Sequence, residues 1–271
     1  MSESIPGTGA LGAAGGAPVA GDGFSATAAA QSLHEDLKVG YWILVTEARA
    51  GVVRSIEADA LIRSLYATLH ARAQPSLPLF DVPQADIYAV AHALNVALTT
   101  MAVAEQLGIG DKEARALGLA GLLKDIGQAT VSTELLGRTT PLDPAELEQI
   151  RRHPIDGARM LISTEEPLEL PAVVAYEHHL GPDGQGYPHL AHPRPAHFSS
   201  RLVRLVDQFC ALFVRRPHRD AWGFDEVLAH IDERAGIEFD RELTRRFIAA
   251  MRALEPNIVK LATPEQRLPW L

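Results

Sequence analysis

Six residues in this sequence could do chemistry together: His92, Asp125, His153, His178, His179 and Asp207. Each falls in a stretch whose apolar spacing predicts helix. His92 lies between Val90 and Leu94, Asp125 lies among Leu122, Leu123 and Ile126, and Asp207 sits four residues after Val203 and three before Cys210. An apolar helix face does not accept a bare carboxylate, which must be paired or bound to a cation once it leaves water. Imidazole and carboxylate together suit iron, manganese or zinc, and carboxylates shared by two ions about 3.5–4 Å apart are the usual clamp for phosphoryl chemistry. Taken singly, these residues have plainer roles. His92 alone reads as a hydrogen-bonded core histidine, and Asp125 alone as a cap or an ion-pair partner. Adjacent His178 and His179 point about 100° apart on a helix, so that one can ligate while the other caps a carbonyl. The cluster as a whole points to a metal. His189, His192, His197 and His218 sit among prolines or beside arginines and are expected on the surface, and Cys210 is expected in the core.

The elements that must position this set are mainly helices. Ile87, Val90, Leu94, Leu98 and Met101 recur three and four apart, which predicts a helix carrying His92 as far as Gly108 and Gly110. Asp111 can cap a second, carrying Leu117, Leu119, Leu122 and Leu123 past Asp125 to an end near Gly127. In LDPAELEQI, Asp143, Pro144 and Glu146 form a near capping box. Helices are further expected at about 154 to 163, 170 to 180, 199 to 214, 224 to 235 and 239 to 254, interrupted by the Gly/Pro loop LGPDGQGYPHLAHPRP. Upstream the pattern weakens. The first thirty residues hold nine Ala and seven Gly, with Phe24 the one aromatic, so residues 1–31 read as a disordered tail. Residues 32–72 read as a small module of one short strand and a helix, 73–85 as a proline-bearing linker, and 255–271 as a C-terminal tail.

Composition narrows the class further. In 271 residues, 25 Lys and Arg face 34 Asp and Glu, and the net charge of -9 disfavours non-specific binding to DNA or to an anionic membrane. A single cysteine excludes an internal disulfide framework and any zinc site of paired cysteines, and fits a reducing compartment. No apolar run is expected to reach the roughly 20 residues of a membrane helix. The first basic residue is Lys38, so the charged start of a secretory signal is not seen and a cytoplasmic location is expected. Neither a repeat period nor a glycine-rich nucleotide fingerprint appears.

Five ordered segments resemble the HD-GYP domains, a branch of the HD metal-dependent phosphohydrolases that hydrolyse cyclic di-GMP. YAVAHALNVALTTM resembles the first helix with its ligand His, GLLKDIGQATV the His-Asp motif, and RRHPIDGARML the helix of the next ligand. YEHHLGPDGQGYP resembles the double-His and Gly-Tyr-Pro loop, and SSRLVRLVDQFCAL the closing helix with its Asp; RRPHR and GIEFDRELTRRF are similar to the segments after it. The resemblance covers residues 86–254 and implies an HD-type helical bundle. It implies metal ligation by His92, Asp125, His153, His178, His179 and Asp207, with Asp125 bridging. Gly186, Tyr187 and Pro188 would shape the substrate loop, and Arg201 would meet phosphate. A divalent transition metal is implied, iron or manganese ahead of zinc.

Departures from the family pattern bear on activity. Lys124 stands where the family has His before Asp125, Gln128 stands for a Lys, Leu180-Gly181 for Glu-Arg after the double His, and Cys210 for a second Asp. A protonated lysine is a poor ligand and repels a neighbouring ion, so one metal position is expected to be lost, with Lys124 pairing with Asp125 or Asp207 instead. Lys124 and Gln128 are expected to share one helix face. The expected function is a metal-dependent cyclic di-GMP phosphodiesterase of weakened activity, with Lys124 and Asp125 at its catalytic heart. The alternative is an inactive module that binds cyclic di-GMP or a protein partner, a second copy included.

Overall fold

The computed structural model describes residues 22–71, 76–81, 85–216 and 219–262. The chain divides into two compact units, Met1–Glu35 and Asp36–Leu271. Of the first unit the described residues form the opening of helix α1 (Asp22–Arg49). The tail expected over 1–31 is therefore helical from Asp22, in keeping with the Ala-rich run that follows; its first 21 residues lie outside those described. The short strand expected within 32–72 is also replaced by helix. Leu37, Tyr41, Leu44 and Ala48 are all buried and recur four, three and four apart, which sets one face of α1 on the core. Helix α2 (Ser55–Leu69) buries Ala58, Ile62, Leu65 and Leu69 in the same way.

Helix α3 (Ala85–Gln106) packs against α4 (Asp111–Leu123) and α9 (Phe198–Phe213). Its stretch Ile87–Gln106 is long and apolar enough to cross a membrane, which corrects the expectation that no such run exists; 83% of the window is buried inside the protein, as befits a core helix. Around this centre stand α5 (Thr133–Leu136), α6 (Pro144–Arg151), α7 (His153–Ile162), α8 (Glu169–Glu177), α10 (Phe224–Glu233) and α11 (Arg241–Leu254). The capping box at the start of α6 is complete: Asp143 accepts from the backbone of Ala145 and Glu146, and Glu146 accepts from Asp143 N. The architecture is mostly helical, as expected.

The only sheet among the described residues joins the two stretches read as linker and tail. Strand β1 (Leu77–Asp81) pairs in parallel with β2 (Ile258–Ala262), Leu77 opposite Ile258 and Asp81 opposite Ala262. The prolines around β1 concealed it, although Pro78 is tolerated because a two-stranded ladder leaves one edge of each strand unpaired. Buried Asn95 of α3 fastens β1 to the core, accepting from Phe80 N at 2.7 Å and donating to Phe80 O at 2.9 Å. Asp81 holds Arg215 beyond α9 through backbone and guanidinium, at 3.0 and 2.9 Å.

Candidate metal centre

The turn after α4 positions the central carboxylate. Helix α4 ends at Leu123, and a 3-10 helix runs from Ile126 to Thr130, leaving Lys124 and Asp125 at the joint. The continuous helix expected past Asp125 is absent, so Lys124 and Gln128 do not share one α-helical face. Both nevertheless reach Asp125. Gln128 Nε2 donates to Asp125 Oδ1 at 2.7 Å, and Lys124 Nζ contacts Asp125 Oδ2 directly. Gly127 brings this turn against α7: a Cβ there would meet His153 O at 2.0 Å and Gly157 N at 2.5 Å. The backbones touch, and the contact sets His153 beside Asp125.

His153 and His178 turn their Nε2 atoms toward the same carboxylate oxygen. Nε2 of His153 is 3.3 Å and that of His178 3.6 Å from Asp125 Oδ1, and the two nitrogens are 3.3 Å apart. Their other nitrogens are committed. His153 Nδ1 lies 2.8 Å from Ile150 O, and His178 Nδ1 lies 2.9 Å from Ala175 O. A carbonyl only accepts, so each Nδ1 carries the proton and each Nε2 of a neutral ring presents a lone pair. Two nitrogen lone pairs and a carboxylate oxygen thus converge where no donor from His153 or His178 serves them, which is the arrangement a divalent cation satisfies. His179 completes a group of four whose ligand atoms lie within 4.8 Å of one another: Asp125, His153, His178 and His179. The chemistry of this donor set fits a transition metal.

The remaining expected ligands lie on the other side of Lys124. Lys124 Nζ is 3.0 Å from Asp207 Oδ1, and His92 Nε2 is 2.7 Å from that same oxygen. The six residues therefore converge on one region, but Asp207 and His92 are engaged with the ammonium and with each other, outside the group of four. Burial alone would lower the Lys124 pKa; Asp125 and Asp207 outweigh it, and the pKa is raised, so the ammonium is held. Burial opposes ionisation of both carboxylates as well, yet Lys124, joined by His92 at Asp207, keeps both well below the usual carboxylate range. His179 is pushed down to about 2, first by burial and then by His178, and stays neutral.

The loop after α8 forms the rim. Leu180 pairs with Gly186 in an isolated antiparallel bridge, and Gly181 N donates to Gln185 O at 2.6 Å. Gly186 adopts φ +124, and a Cβ there would lie 2.3 Å from His179 O. That close approach stacks the Tyr187 ring on His179 at 4.3 Å, and Pro188 follows, buried. Arg151 caps the Tyr187 ring at 5.5 Å. Burial, then Asp125, raises the Tyr187 hydroxyl to about 12, so it remains a donor. Buried Glu177 ties the loop to α9, accepting from His197 N at 2.7 Å and Ser200 Oγ at 2.9 Å.

Arg201, expected to meet phosphate, pairs with a carboxylate through one end of its guanidinium, and its Nε is buried without a partner among the described residues. Its guanidinium is 2.6 Å from Asp240, the residue that caps α11 through Leu243 N. Two residues went unnoticed in the sequence. Glu177 carried no signal apart from its place before the double His. Arg204, one helical turn before Asp207, stands over the Phe239 ring at 5.7 Å, and its Nε is buried without a partner among the described residues. Burial lowers its pKa, partly offset by Glu238, Asp207, Tyr187 and Asp183, whose charges it feels. A basic residue one turn from a candidate ligand could have been found by helical spacing. Cys210 is buried, with Sγ 3.5 Å from Thr99 Oγ1. His189, His192 and His197 are exposed, His197 also capping α9, and His218 lies outside the described residues.

A helical bundle that gathers His and Asp side chains from four separate segments around one carboxylate defines the HD class of domain. The chain belongs to the HD domain family, whose model matches residues 78–243. It is 31% identical over 206 residues to a cyclic di-GMP phosphodiesterase of Pseudomonas aeruginosa, covering 76% of this chain and 50% of that protein. It is 30% identical to the cyclic di-GMP phosphodiesterase response regulator RpfG of Xanthomonas campestris, covering 61% and 44%. With a 3'3'-cGAMP-specific phosphodiesterase of Vibrio cholerae the identity is 33%, covering 64% and 38%. The chain spans half or less of the length of these curated relatives. An HDG"Y"P protein from Bdellovibrio bacteriovorus shares the fold, with a TM-score of 0.58 at 14% identity over 81% of this chain and 70% of that one.

Proposed function

We propose that this chain binds a cyclic dinucleotide, cyclic di-GMP foremost, at the rim formed by Tyr187 and Arg204, and hydrolyses it slowly with a divalent metal, iron or manganese, at Asp125, His153, His178 and His179. One observation carries the metal: two Nε2 lone pairs and a carboxylate oxygen face one another. The nucleotide is supported by the relatives whose names give cyclic di-GMP or 3'3'-cGAMP as substrate. A bound divalent ion supplies Lewis acidity and fixed charge at the phosphodiester. The side chains supply the rest. Tyr187, held between His179 and Arg151, offers its protonated hydroxyl as a donor at the rim. Arg204 offers a planar fork to a phosphate, replacing Arg201 in that role. Lys124 holds a proton between the carboxylates and contributes positive charge without an open coordination position.

The second role, a receptor without turnover, is favoured by that same lysine, since one lost stabiliser of transition-state charge typically costs about 10²–10³ in rate. Hydrolysis of cyclic di-GMP and of 3'3'-cGAMP, measured with Mn²⁺ or Fe²⁺ beside equilibrium binding in chelator, tests both. Binding with turnover well below about 1 s⁻¹ is expected. Absence of binding to either dinucleotide overturns the proposal, and binding with no turnover selects the receptor.

A further inference from the structure

Two partly buried carboxylates brought close together repel unless a cation stands between them. Between Asp125 and Asp207 that cation is Nζ of Lys124, in contact with Asp125 Oδ2 and 3.0 Å from Asp207 Oδ1, on a side chain only 3% exposed. His92 donates to Asp207 Oδ1 from the far side at 2.7 Å. Asp125 is consequently divided. Its Oδ2 serves the ammonium, while its Oδ1 faces His153 and His178 and accepts from Gln128. The arrangement is that of a two-cation centre sharing one carboxylate, with histidine on both flanks, in which one cation is covalently attached to the chain.

We propose that this is a one-ion centre: a single divalent ion is held on the Asp125 Oδ1, His153 and His178 side, and Lys124 permanently holds the Asp207 side in place of a second ion. The proposal rests on the metal part of the function above, not on its nucleotide. A second ion could enter only by displacing the ammonium, which would leave a buried positive charge without either of its partners. The stem offers no easy escape, since Lys124 is enclosed at the end of α4 with its backbone in the helical region. The first ion in turn is bound against the repulsion of a neighbouring positive charge.

The test is a count of Mn²⁺ per chain, without nucleotide, by calorimetric titration of the metal-stripped full chain and by elemental analysis after desalting. One ion per chain is expected in the unaltered protein and none in His178→Ala. Lys124→His, which exchanges the ammonium for a ligand, is expected to take two. Lys124→Met, which leaves the facing carboxylates without their cation, is expected to take a second ion or to bind the first at least tenfold more tightly. Circular dichroism establishes that each variant is folded. Two ions in the unaltered chain, or none, overturn the proposal, as does a folded Lys124→Met with unchanged count and affinity. A chain that carries one ion but ignores cyclic di-GMP refutes only the nucleotide, and one that binds cyclic di-GMP with two ions refutes only the single-ion centre.

Discussion

Two arginines one helical turn apart divide the work of α9, and their partners tell them apart. Arg201 is spent on Asp240 and hence on the start of α11, so Arg201→Gln is expected to lower stability by about 1.5–3 kcal/mol, the usual worth of a hydrogen bond to a charged group. Its affinity for cyclic di-GMP should be unchanged. Arg204 has no carboxylate within ion-pair distance among the described residues, so Arg204→Gln should leave the melting temperature nearly as it was and weaken nucleotide binding about tenfold or more, the loss of one charge-assisted contact. Thermal unfolding and calorimetric titration on both variants separate these outcomes; the opposite pattern would return the phosphate contact to Arg201. In the sequence, Arg201 falls in a recognisable motif, whereas the ion pair it makes joins residues 39 positions apart and is not legible locally.

The elements that carry the ligands were legible to within a few residues because their apolar faces repeat at the helical period. Helices α6 to α11 fall close to the expected segments, and the Asp143 capping box was visible because a cap is a local hydrogen-bond pattern. What escaped was governed by distant partners. β1 has no meaning without β2, and the two are about 180 positions apart, so their short apolar runs read as linker and tail. The break of α4 at Lys124 also escaped, because it is set by the approach of Gly127 to Gly157 and His153 on another element. Gly127→Ala should therefore push the 3-10 turn off α7, destabilise by about 1–3 kcal/mol and lower metal content, because Asp125 and His153 separate. Asp143→Ala is the contrasting change. Loss of that exposed cap should cost about 1 kcal/mol and leave metal binding intact, since α6 carries none of the four ligands. Elemental analysis and urea unfolding of both variants check the pair.

At the scale of the molecule, the candidate metal centre is surrounded by helices from across residues 85–254, while the β1–β2 pair closes the domain from residues far apart in the chain. Asn95 is the rivet of that closure, bonding both backbone groups of Phe80 inside the protein. Asn95→Leu removes both of these buried hydrogen bonds, at about 1–3 kcal/mol each. A fall in melting temperature with an unchanged metal count is the expected result; loss of metal would mean that the strand pair and the centre are not independent. Because β1 and β2 run in the same direction, the entry to β1 at Leu77 and the exit from β2 at Ala262 lie at opposite ends of the ladder. Tension applied between the segments that flank the pair would load its evenly spaced hydrogen bonds in shear, all at once, rather than unzip them singly. Under pulling, the pair should behave as a mechanical clasp, yielding in one abrupt step.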